Sequence, residues 1–311
     1  EQRMNRESMQ RFAAAEIRTQ AKSVDEGSGS ARDFYPQSAE LGLTLLPIPE
    51  ALGGAGVDRS PVSNALIFED LAHGDMAISP MAFVNTLLDQ GSDAQREKYL
   101  PLFCTGEFKA ATTALLEPRA TFDPCAPTMS ASTTDSGYTL SGTKAMVPLG
   151  MDAELVLVLA RLDDGDCEAL LGDGAFDLQR FVDLSRLGIC ALAVGTCQAV
   201  LDYVKPYVNE RVAFGEPISN RQSVAFMVAD MAIELESMRL MTWRAAALAE
   251  QGLDFHQQAY LAKVFCAEHA MKIGTDGVQL LGGHGFCREH PVEMWYRNLR
   301  AIDTLEGIAS V

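Results

Sequence analysis

Apolar positions recur with helical spacing in both terminal parts of the chain, whereas the middle part alternates or forms short apolar runs. Near the start, the segment ESMQRFAAAEIRTQAKSV predicts a helix, and SPVSNALIFEDLAHGD and GSDAQREKYLPLFCTGE predict two more. The segment LGLTLLPIPEALGGAGVDRSP lies between the first two and is rich in glycine and proline, so it is predicted to be a loop. The first third of the chain therefore reads as helices separated by turns.

Capping residues support the starts of two of these helices. Ser60 or Ser63 can cap one of them, and Pro61 suits its first turn because its backbone lacks an N–H that would need a partner. Ser92 precedes Gln95 by three residues, which predicts a capping box.

The middle part has the pattern of strands. FKAATTALLEP and AELVLVLARL are apolar and β-branched runs, and SGYTLSGTKAMV alternates as a half-buried strand does. Only RLDDGDCEALLGDGAFDLQ separates the last clear strand from the next helix, so this β domain looks abbreviated.

The last part predicts three long helices. Ser219 or Asn220 is expected to cap the second of them. One face of that helix carries apolar residues at helical period, which we interpret as the core of a bundle: Val224, Met227, Val228, Met231, Leu235, Met238 and Met241.

These patterns predict an α+β protein that is mainly α, in three parts. Residues 1–105 are expected to form an N-terminal helical domain, 106–180 a small middle β domain, and 181–311 a C-terminal helical bundle.

Charge and cysteine usage narrow the class of protein. The net charge is -17, which argues against nucleic acid as the main partner. The seven cysteines form no CxxC pair and their number is odd, so we expect reduced thiols and a cytoplasmic location. The first residues are charged, which gives no sign of a signal peptide, and no apolar run is expected to span a membrane.

Several motifs along the chain, taken in order, resemble one family. They are LLPIPEALGGAG, GSDAQREKYLP, SGYTLSGTKA, RVAFGEPISNRQSVAFMVADM, QLLGGHGF and a final LEG. Each motif is weak alone, but together and in this order they resemble the acyl-CoA dehydrogenase family of flavoproteins over nearly the whole chain. The stretch QLLGGHG has no strand before it, so it is interpreted as a bend that ends a bundle helix rather than as a Rossmann phosphate loop.

The resemblance implies an activity and partners. It implies an acyl-CoA dehydrogenase-like fold, with N-terminal helices, a small middle β barrel and a C-terminal four-helix bundle. It implies FAD as cofactor and removal of the α and β hydrogens of an acyl-CoA thioester. It also implies a homo- or hetero-oligomer, a dimer or tetramer formed through the C-terminal bundle, and an electron-transfer flavoprotein as electron acceptor.

The resemblance also points to a catalytic base. Glu306, followed by Gly307, falls where many family members carry the catalytic glutamate, and Arg186 matches an arginine that the family places near it. From the residues alone, Glu306 could be a solvated acid and Arg186 a surface residue of the bundle. Ile308 departs from the threonine that usually follows Glu-Gly.

This chain keeps a second set of family residues. In the family, these residues contact the pyrophosphate and adenosine of a neighbouring subunit's FAD. Without the resemblance they would be an ordinary helix end, a core ring and a C-cap. They are Arg211, Phe214, Gln222, Gln279, Gly282, Gly283 and Gly285.

The residues expected beside the flavin ring are not kept. Leu116 and Phe122 stand where the family has a threonine and a serine, Met146 replaces an aromatic residue, and Pro148 removes a hydroxyl and a backbone N–H. Each lost hydrogen bond is expected to weaken cofactor binding by about 1–3 kcal/mol.

Three hypotheses follow. The chain is a working FAD-dependent dehydrogenase with a divergent ring pocket, or a non-catalytic subunit that completes a partner's FAD site, or a helical scaffold without a redox role. The register of the arginine, glutamine and glycine motifs argues against the scaffold.

Overall fold

The structure is a computed structural model that describes residues 2–28, 42–74, 81–105, 107–119, 121–135, 137–162 and 176–305. The N-terminal part is helical. Its helices are α1 (Gln2–Phe12), α2 (Arg18–Asp25), α3 (Pro61–Ala72), α4 (Met81–Gln90) and α5 (Asp93–Tyr99). A π-helical turn, Ala13–Ile17, joins α1 to α2 without a break in the chain's helical path.

The two predicted caps of this part are confirmed. The Ser60 side chain accepts a hydrogen bond from the Ser63 backbone N–H, and Pro61 opens α3. Ser92 and Gln95 form the reciprocal capping box at the start of α5. The predicted loop is also confirmed in its described part, which is a series of turns with one short 3-10 segment at Glu50–Leu52.

The middle part contains two small sheets. Its strands are β1 (Ala111–Ala114), β2 (Ser130–Thr134), β3 (Gly137–Ser141), β4 (Leu155–Val158) and β5 (Arg161–Leu162). Strands β1 and β4 pair in parallel, β2 pairs with β3 antiparallel, and β5 runs parallel to β2. The strand predicted to run on to Val147 ends at Ser141, because Gly142 (φ +143°) and Met146 (φ +49°) break the extended backbone.

The C-terminal part is a helical bundle. It comprises α6 (Leu178–Glu210), α7 (Gln222–Glu250), α8 (His256–Leu281) and α9 (Val292–Ala301), with a short hairpin, β6 (Val212–Ala213) and β7 (Glu216–Pro217), between α6 and α7. The predicted cap of α7 at Ser219 or Asn220 is wrong, because the helix starts after Arg221 and no side chain caps it.

The apolar face of α7 is confirmed as bundle core. Met231, Leu235 and Met238 are buried, and the other residues of the predicted face pack against the same cluster. The mainly helical α+β class is thus confirmed.

Helix α6 corrects one expectation. Over 18 of its residues the mean hydropathy is 1.6. By length and composition, the helix is therefore apolar enough to cross a membrane. The prediction that no apolar run reaches membrane-spanning length is wrong. About 78% of that window is buried inside the protein, where α6 packs against α3, α7 and α8 as the central helix of the core.

A buried ion network joins the N-terminal helices to the bundle. Arg239 of α7 donates from Nε to Glu69 of α3 at 2.8 Å, and Arg6 of α1 pairs with Asp70 through two bonds of 2.8 Å. Because Glu69 and Asp70 are almost fully buried, loss of either arginine would remove compensation from a buried carboxylate. This network fixes α3, which forms one wall of the site described next.

Candidate functional site

A cavity of about 510 Å³ lies where the three parts of the chain meet, and we call it the central cavity. Its walls come from α3 and α4, from β1 and the loop 145–149, and from α6. Most of the lining is apolar, for example Phe68, Leu115 and Leu192. Such a space suits an apolar group with few polar contacts.

One edge of the central cavity is charged. Asp89 accepts from Arg59 at 2.7 Å and from Arg180 at 3.0 and 3.1 Å. Burial acts to raise the pKa of Asp89, but the hydrogen bonds from the two arginines outweigh it and hold that pKa below its ordinary value. Nearby, the Oδ1 atom of Asn85 is buried without a hydrogen-bond partner in the described part of the chain.

The wall from the middle part contains three of the four positions that the sequence singled out. Leu116, Met146 and Pro148 line the central cavity, whereas Phe122 is buried outside its lining. The loop is strained, because Met146 and Leu149 both have positive φ. This wall offers apolar side chains, with the Thr112 and Thr113 residues of β1 beside them.

An ionic contact anchors the wall. Glu117 accepts from the backbone N–H groups of Thr128 and Met129, from the Thr128 hydroxyl, and from Lys144 Nζ at 3.1 Å. Burial acts to raise the pKa of Glu117, but these bonds outweigh it and hold that pKa at about 2. Lys144 also donates to the Leu115 carbonyl at 3.0 Å, so the network ties the segment after β1 to the start of the loop 145–149.

Glu306 lies outside the described residues. The last described residue is Leu305, which lines the central cavity. The chain therefore reaches this cavity one residue before the predicted base.

Arg186 is directed to one side of the central cavity. Its Nη1 atom lies 3.2 Å from Oδ1 of buried Asp183, and its guanidinium lies over the Tyr260 ring. Ser185 and Leu187, its neighbours on α6, line the cavity, but Arg186 does not. Its assignment near the base remains a prediction.

A second pocket, of about 500 Å³, lies at the end of the bundle, and we call it the glycine-turn pocket. It brings together five of the seven residues that were predicted to bind cofactor: Arg211, Phe214, Gln279, Gly282 and Gly283. These residues come from the end of α6, the β6–β7 hairpin and the end of α8, so only the fold makes them neighbours.

The cations of the glycine-turn pocket suit an anion. Arg211 ends α6, and its guanidinium makes no hydrogen bond or ion pair with the residues that the structure describes. Arg221 also lines the pocket, and its guanidinium lies 3.4 Å from Glu216 and 5.3 Å from the centre of the Phe214 ring. A free guanidinium at a pocket rim is suited to pair with a phosphate.

The hairpin holds Phe214 in an unusual position. Phe214 (φ +58°) and Gly215 (φ +88°) form the two-residue turn between β6 and β7, and both have the left-handed backbone of a type I′ turn. The phenylalanine ring is 93% exposed. An aromatic residue with strained backbone and an exposed ring indicates a binding role rather than a folding role.

The glycine turn at the end of α8 requires glycine at two positions. Gly282 has φ +59° and ψ -131°, which side chains do not tolerate. A Cβ atom at Gly285 would lie 2.1 Å from the Val278 carbonyl oxygen, whereas one at Gly283 would meet open space. Gly285 is thus a packing position, and Gly283 leaves the pocket clear.

Sequence reasoning missed two pocket residues. The Tyr207 hydroxyl lies 2.9 Å from His284 Nδ1, and both residues line the glycine-turn pocket. Tyr207 precedes Arg211 by one helical turn, which was the available signal.

Gln222, which was also predicted to bind cofactor, is exposed at the start of α7. It lies between the lining residues Arg221 and Ser223 and is not itself part of the lining.

Comparisons with known proteins agree with this geometry. Models of the acyl-CoA dehydrogenase N-terminal domain and of the acyl-CoA dehydrogenase C-terminal domain match residues 1–107 and 172–311. The mitochondrial short-chain specific acyl-CoA dehydrogenase of Rattus norvegicus is 29% identical over 361 aligned positions, gaps included, and the alignment covers 99% of this chain and 87% of that protein. An acyl-CoA dehydrogenase of Bacillus subtilis is 27% identical over 360 aligned positions, and the alignment covers 99% of this chain and 94% of that protein.

A solved structure gives the same result. Butyryl-CoA dehydrogenase from Megasphaera elsdenii superimposes with a TM-score of 0.86 at 25% identity, over 99% of this chain and 94% of that one. The class defined by the fold and the two pockets is that of a flavin-dependent oxidoreductase. The chain belongs to the acyl-CoA dehydrogenase family, its cofactor is FAD, and its function is of the acyl-CoA dehydrogenase type.

The described residues suit the pyrophosphate and adenosine half of FAD better than its flavin half. The glycine-turn pocket fits a pyrophosphate and adenosine, which Arg211, Gln279 and the glycine turn would hold. The central cavity's wall at Leu116, Met146 and Pro148 offers the flavin ring apolar contacts in place of the polar ones that the family provides. The glycine-turn pocket therefore suits its part of the cofactor better than the central cavity suits the flavin ring.

Proposed function

We propose that this chain catalyses α,β-dehydrogenation of an acyl-CoA in its assembled form, with Glu306 as the base. The observation that carries the proposal is the central cavity, which is largely apolar and is bordered by Leu305, the residue before Glu306. Short acyl groups are the first candidates, because relatives such as the rat protein are named short-chain specific.

The chemistry needs a base that is active near neutral pH. A carboxyl group against an apolar cavity has its pKa raised, so it can take a weakly acidic α proton from the thioester. FAD, when bound, accepts the β hydrogen as hydride. Each turnover thus moves one proton to Glu306 and two electrons with the hydride to the cofactor, and leaves a carbon–carbon double bond.

Solvent exchange tests the base separately from hydride transfer. Acetyl-CoA has α hydrogens and no β hydrogen, so the FAD-loaded assembly in D2O should exchange its α hydrogens, as followed by NMR, without any oxidation. Glu306→Gln should abolish this exchange and keep the wild-type melting temperature. Exchange at the wild-type rate in Glu306→Gln would exclude Glu306 as the base.

A second candidate is a non-catalytic subunit that completes the FAD site of a different chain. The apolar residues Leu116, Met146 and Pro148 favour it, since the glycine-turn pocket keeps its ligand-binding groups while the ring wall does not. The flavin-to-chain ratio of the purified complex separates the two candidates. One FAD per copy of this chain in a homo-oligomer supports catalysis by this chain, and fewer flavins than chains in a two-chain complex supports the second candidate.

We also infer an oligomer formed through the C-terminal bundle. Phe226, Ile233 and Leu240 follow each other at intervals of seven along α7 and are 60–64% exposed. This spacing places them on one helix face, where an apolar stripe is suited to pack against a second subunit. An interface there would adjoin the glycine-turn pocket, because α7 begins at the pocket rim.

An electron-transfer flavoprotein is the proposed acceptor for the electrons of the reduced cofactor, since the dehydrogenation leaves two electrons on FAD.

The cytoplasm, a reducing compartment, is the proposed location. Six cysteines of the described residues are free thiols, which supports it. Flavin reoxidation by a purified electron-transfer flavoprotein, and fractionation of expressing cells, test these two points.

A further inference from the structure

Lys263, two turns into α8, has no exposed surface at all and is among the largest fully buried side chains. An ammonium group without strong partners in such a place would strongly destabilise the fold. Its partners therefore indicate what the lysine does.

Two of its partners are main-chain carbonyls in the turn that follows α9. Lys263 Nζ donates to the carbonyl oxygens of Ile302 and Leu305, the latter at 2.7 Å. Carbonyls at a helix C-terminus lack intrahelical partners and carry the negative end of the helix dipole, so a cation is favourable there. Lys263 thus caps α9 from a neighbouring helix.

The capped turn is also wound by its own bonds. The Leu305 N–H and the Thr304 hydroxyl both donate to the Ala301 carbonyl. Ile302 is fully buried in the bundle core, and Leu305 packs on two apolar clusters and lines the central cavity. The ammonium consequently ties the buried face of α8 to the wall of the central cavity, one residue before Glu306.

We propose that Lys263 is a positioning residue for Glu306: by holding the carbonyls of Ile302 and Leu305, it fixes the point from which the base reaches the acyl group. The inference rests on the proposed function. A displacement of a reacting group by about 1 Å can lower a rate about 100-fold. The rate of proton abstraction should therefore depend on how firmly Lys263 holds this turn.

Rapid-reaction kinetics on the FAD-loaded assembly with butyryl-CoA test the proposal. Lys263→Met keeps the length of the side chain and removes its charge and donors. It should lower the limiting rate of flavin reduction about 100-fold. The butyryl-CoA concentration for half-maximal rate should stay within about threefold, because the cavity that binds the acyl group is intact.

Two control variants separate positioning from loss of stability. Lys272→Met makes the same change on an exposed part of α8, where the lysine pairs with Glu234 and Asp276, and should keep the wild-type rate. Leu235→Ala removes core volume from α7, and should lower the melting temperature while keeping the limiting rate.

The outcomes decide the proposal in each case. A Lys263→Met rate that equals the wild type, or that falls no further than that of Leu235→Ala at matched melting temperature, overturns the role of Lys263.

If Lys263→Met does not fold, Lys263→Arg replaces it, because a guanidinium keeps the positive charge but displaces the turn. Flavin reduction at least tenfold slower than in the wild type supports the proposal, and flavin reduction at the wild-type rate overturns it. Wild-type protein that shows no flavin reduction at all overturns the proposed function, and this inference with it.

Discussion

Phe214 shows most clearly how single residues mark the site. Its left-handed backbone would suit asparagine or glycine, and its ring is left almost entirely in solvent. The sequence motif could place this residue in the family's register, but the strain and exposure are visible only in the structure. Both properties indicate that the ring serves a ligand rather than the core.

Substitution of Phe214 tests that interpretation. Phe214→Asn fits the type I′ turn, so we expect the free energy of unfolding to stay or to rise by about 1 kcal/mol. FAD affinity should fall about three- to tenfold, since the ring contact is lost. Calorimetric titration with FAD measures the affinity, and Phe214→Tyr, which keeps the ring, should retain it. Equal affinities for the asparagine and tyrosine variants would contradict a role of the ring.

Glu117 predicts a pH dependence of stability. Its pKa in the folded protein is about 2 against an ordinary 4.5, so its contribution is present above about pH 4.5 and is lost as the pH falls towards 2. The free energy of unfolding of wild type should therefore exceed that of Glu117→Gln at neutral pH, and the difference should shrink across this interval. Denaturant titrations of both proteins between pH 7 and 2.5 measure it. A difference that is constant over that range would contradict the assigned network.

At the scale of elements, the glycine turn after α8 combines a folding role and a binding role. The sequence identified the turn and its place after a bundle helix, because glycines and periodicity are local signals. It could not separate the roles of the three glycines, since the Val278 carbonyl that excludes a side chain at Gly285 approaches through the fold.

Alanine substitutions distinguish these roles. Gly285→Ala should destabilise the protein by about 1–3 kcal/mol, because its methyl group would overlap the Val278 carbonyl. Gly283→Ala should change the free energy of unfolding by less than about 0.5 kcal/mol and should weaken FAD binding, since its methyl group enters the space of the glycine-turn pocket. Thermal melts and FAD titration of the two variants provide the measurement. Normal FAD binding by Gly283→Ala would place the cofactor elsewhere.

Other elements show where sequence reasoning ends. Ser60 and the Ser92–Gln95 box were predictable, because capping depends on neighbours in the chain. The cap of α7 was not, since a 3-10 turn, Ile218–Asn220, takes up both predicted cap residues before the helix begins. The early end of β3 depends on the left-handed backbone at Gly142 and Met146, which the alternating pattern of SGYTLSGTKAMV does not reveal.

At the scale of the whole molecule, the three-part architecture followed from the order of helical, alternating and helical patterns. The central cavity did not, because its walls come from residues that are up to about 250 positions apart in the chain. The rat relative aligns over 361 positions with a chain of 311 residues, so at least 50 of these positions have no counterpart here. The fold is nevertheless shared with butyryl-CoA dehydrogenase from Megasphaera elsdenii, over 99% of this chain.

Oligomer formation through α7 can be tested with one charge. Ile233→Glu places a carboxylate in the middle of the exposed apolar stripe, so the assembly should dissociate into smaller species. Light scattering after size-exclusion chromatography measures the mass, and Gln251→Glu, an exposed change beyond the end of α7, is the control. An unchanged mass for Ile233→Glu would place the interface on another surface.

The central claim is that the assembly built from this chain dehydrogenates an acyl-CoA with Glu306 as base. Anaerobic mixing of the FAD-loaded assembly with butyryl-CoA tests it most directly, with the flavin absorbance as the signal. We predict that the wild-type flavin is bleached within one turnover, and that Glu306→Gln binds the same amount of FAD and stays oxidised. Flavin that remains oxidised in the wild type, or that is bleached equally fast in Glu306→Gln, would contradict the account.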